Sequence, residues 1–272
     1  MLVDAIAAER FRLLRDRSAL FWGFCFAPLI GFALAIGGDL FVRHVIKRPF
    51  PGATIDLAAQ VIKALGSGAS TMAALFLMIG AASILAGDYR WETWRLRTPR
   101  NSRFNLLAAK LIVIAEAVLW NLVLTVLLTL LAAVIGAGIN SKAIVASSLG
   151  LAEIAGVFVV TWLEAMCLAA LAACVAVVAR SPMAAVVVCL VVRFVQSVLA
   201  GTLGAMNPEP NWKVLAIPAY DADLLRAFAA APNHAGMDSG AVGWAFLALL
   251  AWTLALMAAA IALFQRQDLT RE

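Results

Sequence analysis

Glu116, Glu153, Glu164 and Arg193 stand inside long apolar runs of the chain. An ionisable side chain left in lipid costs about 2.5–3.5 kcal/mol by insertion scales, so each must face protein or a water-filled path. Glu153 and Glu164 are spaced to share one face of a helix, as are Arg193 and Gln196. Such groups can pair with one another or line a route for a polar cargo. A hairpin folded about Ser181 leaves Glu164 and Arg193 at depths differing by roughly 7–8 Å of helix. Long side chains close that gap, so a Glu164–Arg193 pair is expected. Glu116, near the inner end of its run, is expected to reach the interface or a nearby arginine. Other chemistries lack their residues. His44 and His234 are isolated, which leaves zinc without a ligand set. Cys25, Cys167, Cys174 and Cys189 form no C-x-x-C and read as small buried hydrophobes. No G-x-x-x-x-G-K-[ST] occurs, so this chain has no phosphate cradle for ATP. No paired aspartates and no serine with a base suggest a catalytic set.

The elements that must position these groups are set by composition. The 272 residues are 64% hydrophobic and only 14% charged, against about 25% charge in soluble domains. Mean hydropathy is +0.95. The reading is an all-α integral membrane protein, one transmembrane domain over 1–272. A bilayer-crossing helix needs about 20 apolar residues. Six segments qualify, at about 19–39, 65–86, 106–135, 148–179, 183–203 and 241–264. The fourth is longer than a bilayer requires and should tilt or project. Pro28 should kink the first, and Arg180-Ser181-Pro182 should form a tight hairpin. Residues 1–18 read as a cytoplasmic entry helix retained ahead of the first span, not a cleaved signal. Residues 40–64 hold the turn RPFPG and a helical pattern over 54–65. Residues 204–240 form an extracytoplasmic loop with a short amphipathic helix over 221–231. The net charge of +5 reports orientation, not nucleic-acid binding. Arg10, Arg12, Arg15 and Arg17, with the arginines of 90–103, lie against span ends and place both termini in the cytoplasm, although Arg43–Arg48 argues the other way.

Residues 88–103, DYRWETWRLRTPRNSR, interrupt this apolar chain. Asp88 is a suitable N-cap and Pro99 a stop, which predicts a short helix over 88–98. Trp91 and Trp94 share a face, and Arg95 and Arg97 suit the C-terminal end of the dipole. A second helix is expected to start near Ser102 and run into the third span. Two uses fit these residue types. One is an interfacial anchor of tryptophan and arginine on anionic lipid. The other is a docking surface for a protein, since exposed Trp and Arg are favoured hot-spot types.

The stretch resembles the loop after the second span of type-2 ATP-binding-cassette (ABC) permeases. The matching residues are Asp88-Tyr89, Thr93-Trp94, Leu96, Thr98-Pro99, Arg103, Leu106-Leu107 and Lys110. Asp88 stands where that family usually has Glu, and Glu92 where it usually has Gly. The N-terminal AAERFRLLRDRSALFW is similar to the family's basic entry helix, and FQRQDL resembles its closing motif. The resemblance implies an exporter permease in the bacterial cytoplasmic membrane. It implies an ABC ATPase subunit as partner, with ATP and Mg bound there and none directly on this chain. A second permease subunit, identical or different, completes the unit, with membrane lipids around it. Its coupling residues would be Asp88, Tyr89, Trp91, Glu92, Thr93, Trp94, Arg95, Arg97, Pro99, Arg100 and Arg103. Glu153, Glu164, Arg193 and Gln196 would be the candidates for a path. The competing readings are an integral membrane lipid-modifying enzyme and a stand-alone ion-coupled carrier. The lack of an internal repeat weakens the carrier.

Overall fold

A computed structural model describes residues 2–46, 54–68, 70–90, 102–145, 149–206, 217–231 and 239–267. Six of its helices are long and apolar enough to cross a membrane. The protein is a multi-pass membrane protein built almost wholly of helices.

The chain opens with α1 (Leu2–Arg15), whose buried residues Ala5, Glu9 and Leu13 recur at helical spacing. It turns at Asp16, whose carboxylate accepts from the Ala19 N–H at 3.0 Å and so caps the next helix. That helix, α2 (Arg17–Ile46), is the first span. It passes the expected end at residue 39 and carries Arg43 and His44 in its last turns. Pro28 acts within it. Proline returns no N–H to the preceding turn, and the turn before it, Phe21–Cys25, is π-helical. The Phe24 carbonyl there accepts the Asn121 amide at 2.5 Å from another span. Replacing Asn121 by Leu strands that carbonyl and is expected to cost about 1–3 kcal/mol. The loss should shrink in a Pro28→Ala background, where residue 28 regains a donor. A double-mutant cycle of thermal stability in detergent measures it.

β1 (Thr54–Asp56) pairs in parallel with β2 (Ala143–Val145). This small ribbon amends the all-α expectation. It ties together two loops that sequence alone leaves separate. Asp56 caps α3 (Leu57–Gly68) through the Ala59 N–H at 3.0 Å. Val61 and Leu65 of α3 are almost fully buried, so α3 belongs to the core and is not a loose loop helix. The second span, expected from residue 65, starts instead as α4 (Thr71–Arg90). The helical path breaks at Ser70, whose hydroxyl accepts from the Ala73 N–H at 3.4 Å.

The third span, α5 (Arg103–Asn140), begins at Ser102 as expected, with the Ser102 hydroxyl accepting from the Asn105 N–H at 3.2 Å. At 38 residues it is about 57 Å long, far beyond the ~30 Å hydrocarbon core. Ser141 ends it in the left-handed region, φ 51°. Near this end Asp39 holds the Asn140 amide at 2.7 Å and the Lys142 ammonium at 3.1 Å. A Cβ on Gly136 would meet the Asp39 carboxylate, which would have to turn aside to admit it.

The fourth span, α6 (Leu151–Ala179), is the hub. Ala169, Ala170, Ala172, Ala173 and Ala176 along it are all buried. Small side chains let neighbouring helices approach closely where lipid supplies no hydrophobic drive. Arg180, φ 53°, and Pro182 at the first position of the next helix make the expected hairpin into α7 (Pro182–Met206). α8 (Pro218–Ala230) and the sixth span, α9 (Ser239–Arg266), follow. α8 is more than a surface amphipathic helix. It packs on α6, α7 and α9, with Ala219, Asp221, Ala222, Leu225 and Arg226 buried.

The first helix and the end of the last one lie at the same end of the bundle. The Arg103 guanidinium donates to the Gln265 carbonyl at 3.0 Å, closing the last turn of α9. The Gln267 amide donates to the Val177 carbonyl at 3.1 Å, and the Tyr89 hydroxyl donates to Gln267 Oε1 at 2.7 Å. The ends of α4, α6 and α9 and the start of α5 therefore converge there, and we call this the terminal end.

Candidate functional site: two buried charge clusters

The first cluster sits at the terminal end, where α4 ends and α5 begins. Asp88 is not the cap of a new helix. α4 continues through Arg90, so Asp88 lies in its last turn with no exposed surface. Its carboxylate meets the Lys110 ammonium at 2.9 Å and the Arg12 guanidinium at 2.9 Å. Glu9 takes the other side of both cations, at 3.4 Å from Lys110 and 2.9 Å from Arg12. Lys110 also donates to the Ile84 carbonyl. Among the described residues two acids face two bases, and mutual neutralisation is the condition under which buried charge is tolerable. The quartet joins α1, α4 and α5.

Three of the residues expected to contact a partner are thus engaged within the chain. Asp88 is in the quartet, Tyr89 is bonded to Gln267, and Arg103 closes α9. Trp91, Glu92, Thr93, Trp94, Arg95, Arg97, Pro99 and Arg100 lie outside the described residues.

The second cluster lies in the body of the bundle. Glu164 is near the midpoint of α6 and is buried. One carboxylate oxygen accepts from Arg193 of α7, which is the expected pair. The other accepts from Arg226 of α8, within the segment 204–240 expected as an extracytoplasmic loop. Arg226 also donates to Asp223, whose side chain is exposed. Arg193 and Arg226 are themselves buried, so one buried carboxylate holds two buried guanidiniums. The signal for Arg226 was present in the sequence. On a helical wheel it falls between Ala219 and Ala222, in the apolar arc of α8, where a solvated charge has no place.

Glu153 and Gln196 do not join this cluster. Glu153 lies in the first turn of α6 and accepts from the Gly150 N–H at 2.8 Å, which is helix capping at the end of the bundle. Glu153 therefore stands at the very start of its span, away from Glu164. Gln196 is half-buried on α7. Glu116 does reach an arginine. Arg10 of α1 grips it in a fork, Nε to Oε2 at 2.7 Å and Nη2 to Oε1 at 2.5 Å.

Asp221 in the first turn of α8 was not singled out from sequence. It is fully buried, and among the described residues neither of its carboxylate oxygens has a hydrogen-bond partner. Burial pushes its carboxyl up to about 8. In the unfolded chain it ionises near 4. Between those values the unfolded state binds fewer protons, so stability should fall as pH rises, by about 1.4 kcal/mol per unit, levelling off above pH 8. Asp221→Asn should remove that slope and exceed wild type in stability at pH 8. Melting in detergent from pH 5 to 9 measures this, and parallel profiles for the two proteins would refute it.

Residues 44–270 match a family described as a protein of unknown function, DUF2705. The chain belongs to that family. The DUF2705 region takes in Asp88, Lys110, Glu164, Arg193, Asp221 and Arg226, while Glu9, Arg10 and Arg12 precede it. A comparison with curated proteins finds no match.

Proposed function

We propose that this chain is the transmembrane permease subunit of an ABC-type exporter. A separate ATPase subunit would bind ATP and Mg, grip residues 91–101 and work the permease through them. The supporting observation is the quartet of Glu9, Arg12, Asp88 and Lys110. It welds α1, α4 and α5 together at the foot of that stretch. A push on the stretch would therefore move three helices at once and bias a two-state bundle. In this reading the terminal end faces the cytoplasm of a bacterial cell, which agrees with the arginines gathered there. Two permease subunits, identical or different, would complete the unit.

The test is a tagged pull-down from native membranes in mild detergent, with mass spectrometry and an ATPase assay. A Walker-motif ATPase should co-purify with wild type and be lost from W94A/R97A. Recovery of the chain without any ATPase across detergents would sink the reading.

Asp221 favours a second reading, a proton-coupled carrier, because a buried carboxyl without a partner is the kind of group that takes up and releases a proton. Uptake into proteoliposomes separates the two. Transport driven by a pH gradient without ATP, and abolished by Asp221→Asn, selects the carrier.

A further inference from the structure

The elbow where α1 turns into α2 encloses a cavity of about 580 Å³. Leu13 and Leu14 of α1 and Leu20, Phe24 and Cys25 of α2 form two of its walls. The floor is one face of α5, marked by Val113, Ala117, Trp120 and Leu124. Only Arg10, Glu116 and Asn121 are polar. Asn121 gives one of its N–H groups to the Phe24 carbonyl, and Arg10 and Glu116 hold each other.

We propose that this cavity binds one anionic phospholipid, its acyl chain along α5 and its phosphate on the outer side of Arg10. Three observations carry this. The first is length. From Glu116, which holds Arg10, to Leu124 the floor runs about 12 Å along α5, most of the ~15 Å that is half of the hydrocarbon core and the depth of one leaflet's acyl chains. The second is charge. Arg10 has five N–H donors and gives Nε and Nη2 to Glu116, so donors remain on a side chain that is 56% exposed. Arg15 and Arg17, beside the elbow, are exposed and make no ion pair among the described residues. Against them stands Asp16, so the elbow carries net positive charge. The third is the rim. Leu14 and Trp120 are 67% and 69% exposed there and give apolar surface on which an acyl chain can lie. A phosphate diester on an acyl chain matches the cationic elbow and the apolar groove in one molecule. The inference depends on the membrane fold and not on the exporter reading.

The experiment uses the full chain in mild detergent, titrated with phosphatidylglycerol or phosphatidylcholine of the same acyl chains. Native mass spectrometry counts retained lipid, and maleimide labelling of Cys25, which lines the cavity, reports occupancy. Cys167 and Cys189 are buried and report unfolding. Wild type should retain one phosphatidylglycerol and slow Cys25 labelling at least five-fold with it. Ala117→Phe fills the cavity, and R10Q/E116Q removes the phosphate donor without leaving a lone charge. Both should weaken retention at least five-fold with Cys167 and Cys189 still protected. Equal retention of the two lipids by wild type and both variants means only a general lipid annulus and overturns the proposal. Protection of Cys25 by inorganic phosphate as strong as by lipid, or protection that follows protein concentration instead of lipid, overturns it as well.

Discussion

Replacing Glu164 by Gln is expected to cost about 3 kcal/mol of stability, because Arg193 and Arg226 lose the buried carboxylate they share, with the exposed Asp223 still on Arg226. Glu164 is the carboxylate shared by Arg193 and Arg226, and all three side chains are buried. A buried charge left alone costs far more than the pair contributes when intact. Truncating a guanidinium as well should recover part of the loss, so E164Q/R193M is expected to be more stable than Glu164→Gln alone. The shared geometry also decides a common test. If Glu164 and Arg193 formed an isolated pair, the swap E164R/R193E would restore it. With Arg226 on the same carboxylate, the swap sets a new guanidinium against Arg226 and should fail. A restored swap would show that Arg226 is dispensable and that the triad is wrong. Thermal unfolding in detergent reads all of these variants.

The second large effect lies where α2 crosses α4. A Cβ on Gly23 would come within 2.4 Å of the Gly80 Cα, and one on Gly80 within 2.6 Å of the Phe24 ring. The first contact is with backbone, which cannot swing aside, so the two helices must part. Gly23→Ala is expected to cost about 3 kcal/mol, at the upper end of overpacking penalties. Gly31 lies in the same span with nothing within 4 Å of its added Cβ. Gly31→Ala should therefore be neutral or gain up to about 1 kcal/mol from helix propensity. Equal behaviour of the two variants in yield and melting would show that the close crossing is not real. The same crossing sits beside the π-helical turn and the Phe24 carbonyl bonded to Asn121. Backbone contact and irregular turn belong to one junction, fixed by the proline that follows it.

Much of the architecture was legible because a bilayer imposes a simple rule. Twenty apolar residues must cross it, and six runs of that kind could be counted directly. Local chemistry was legible for the same reason. Ser102 capping α5 and Pro182 opening α7 depend only on neighbours in the chain. The pairing of Glu164 with Arg193 followed from folding one tight hairpin.

What required the tertiary structure was every relation between segments distant in sequence. Helical spacing shows which face a charge occupies, but not which helix meets that face. Hence Asp88 read as a cap and proved to be a buried ion-pair partner of Arg12 and Lys110. Arg226 read as an outer-loop cation and proved to share Glu164. Glu153 shares a spacing with Glu164, yet one caps a helix end and the other lies near that helix's midpoint. Gly23 and Gly80 are fifty-seven positions apart, and no local pattern marks them as touching. The sequence by itself determined a six-span helical membrane protein and the order of its elements, because burial in lipid is scored residue by residue. Only the tertiary structure decided which charges neutralise one another, because a buried charge is made tolerable by a partner whose position depends on the packing of the whole bundle.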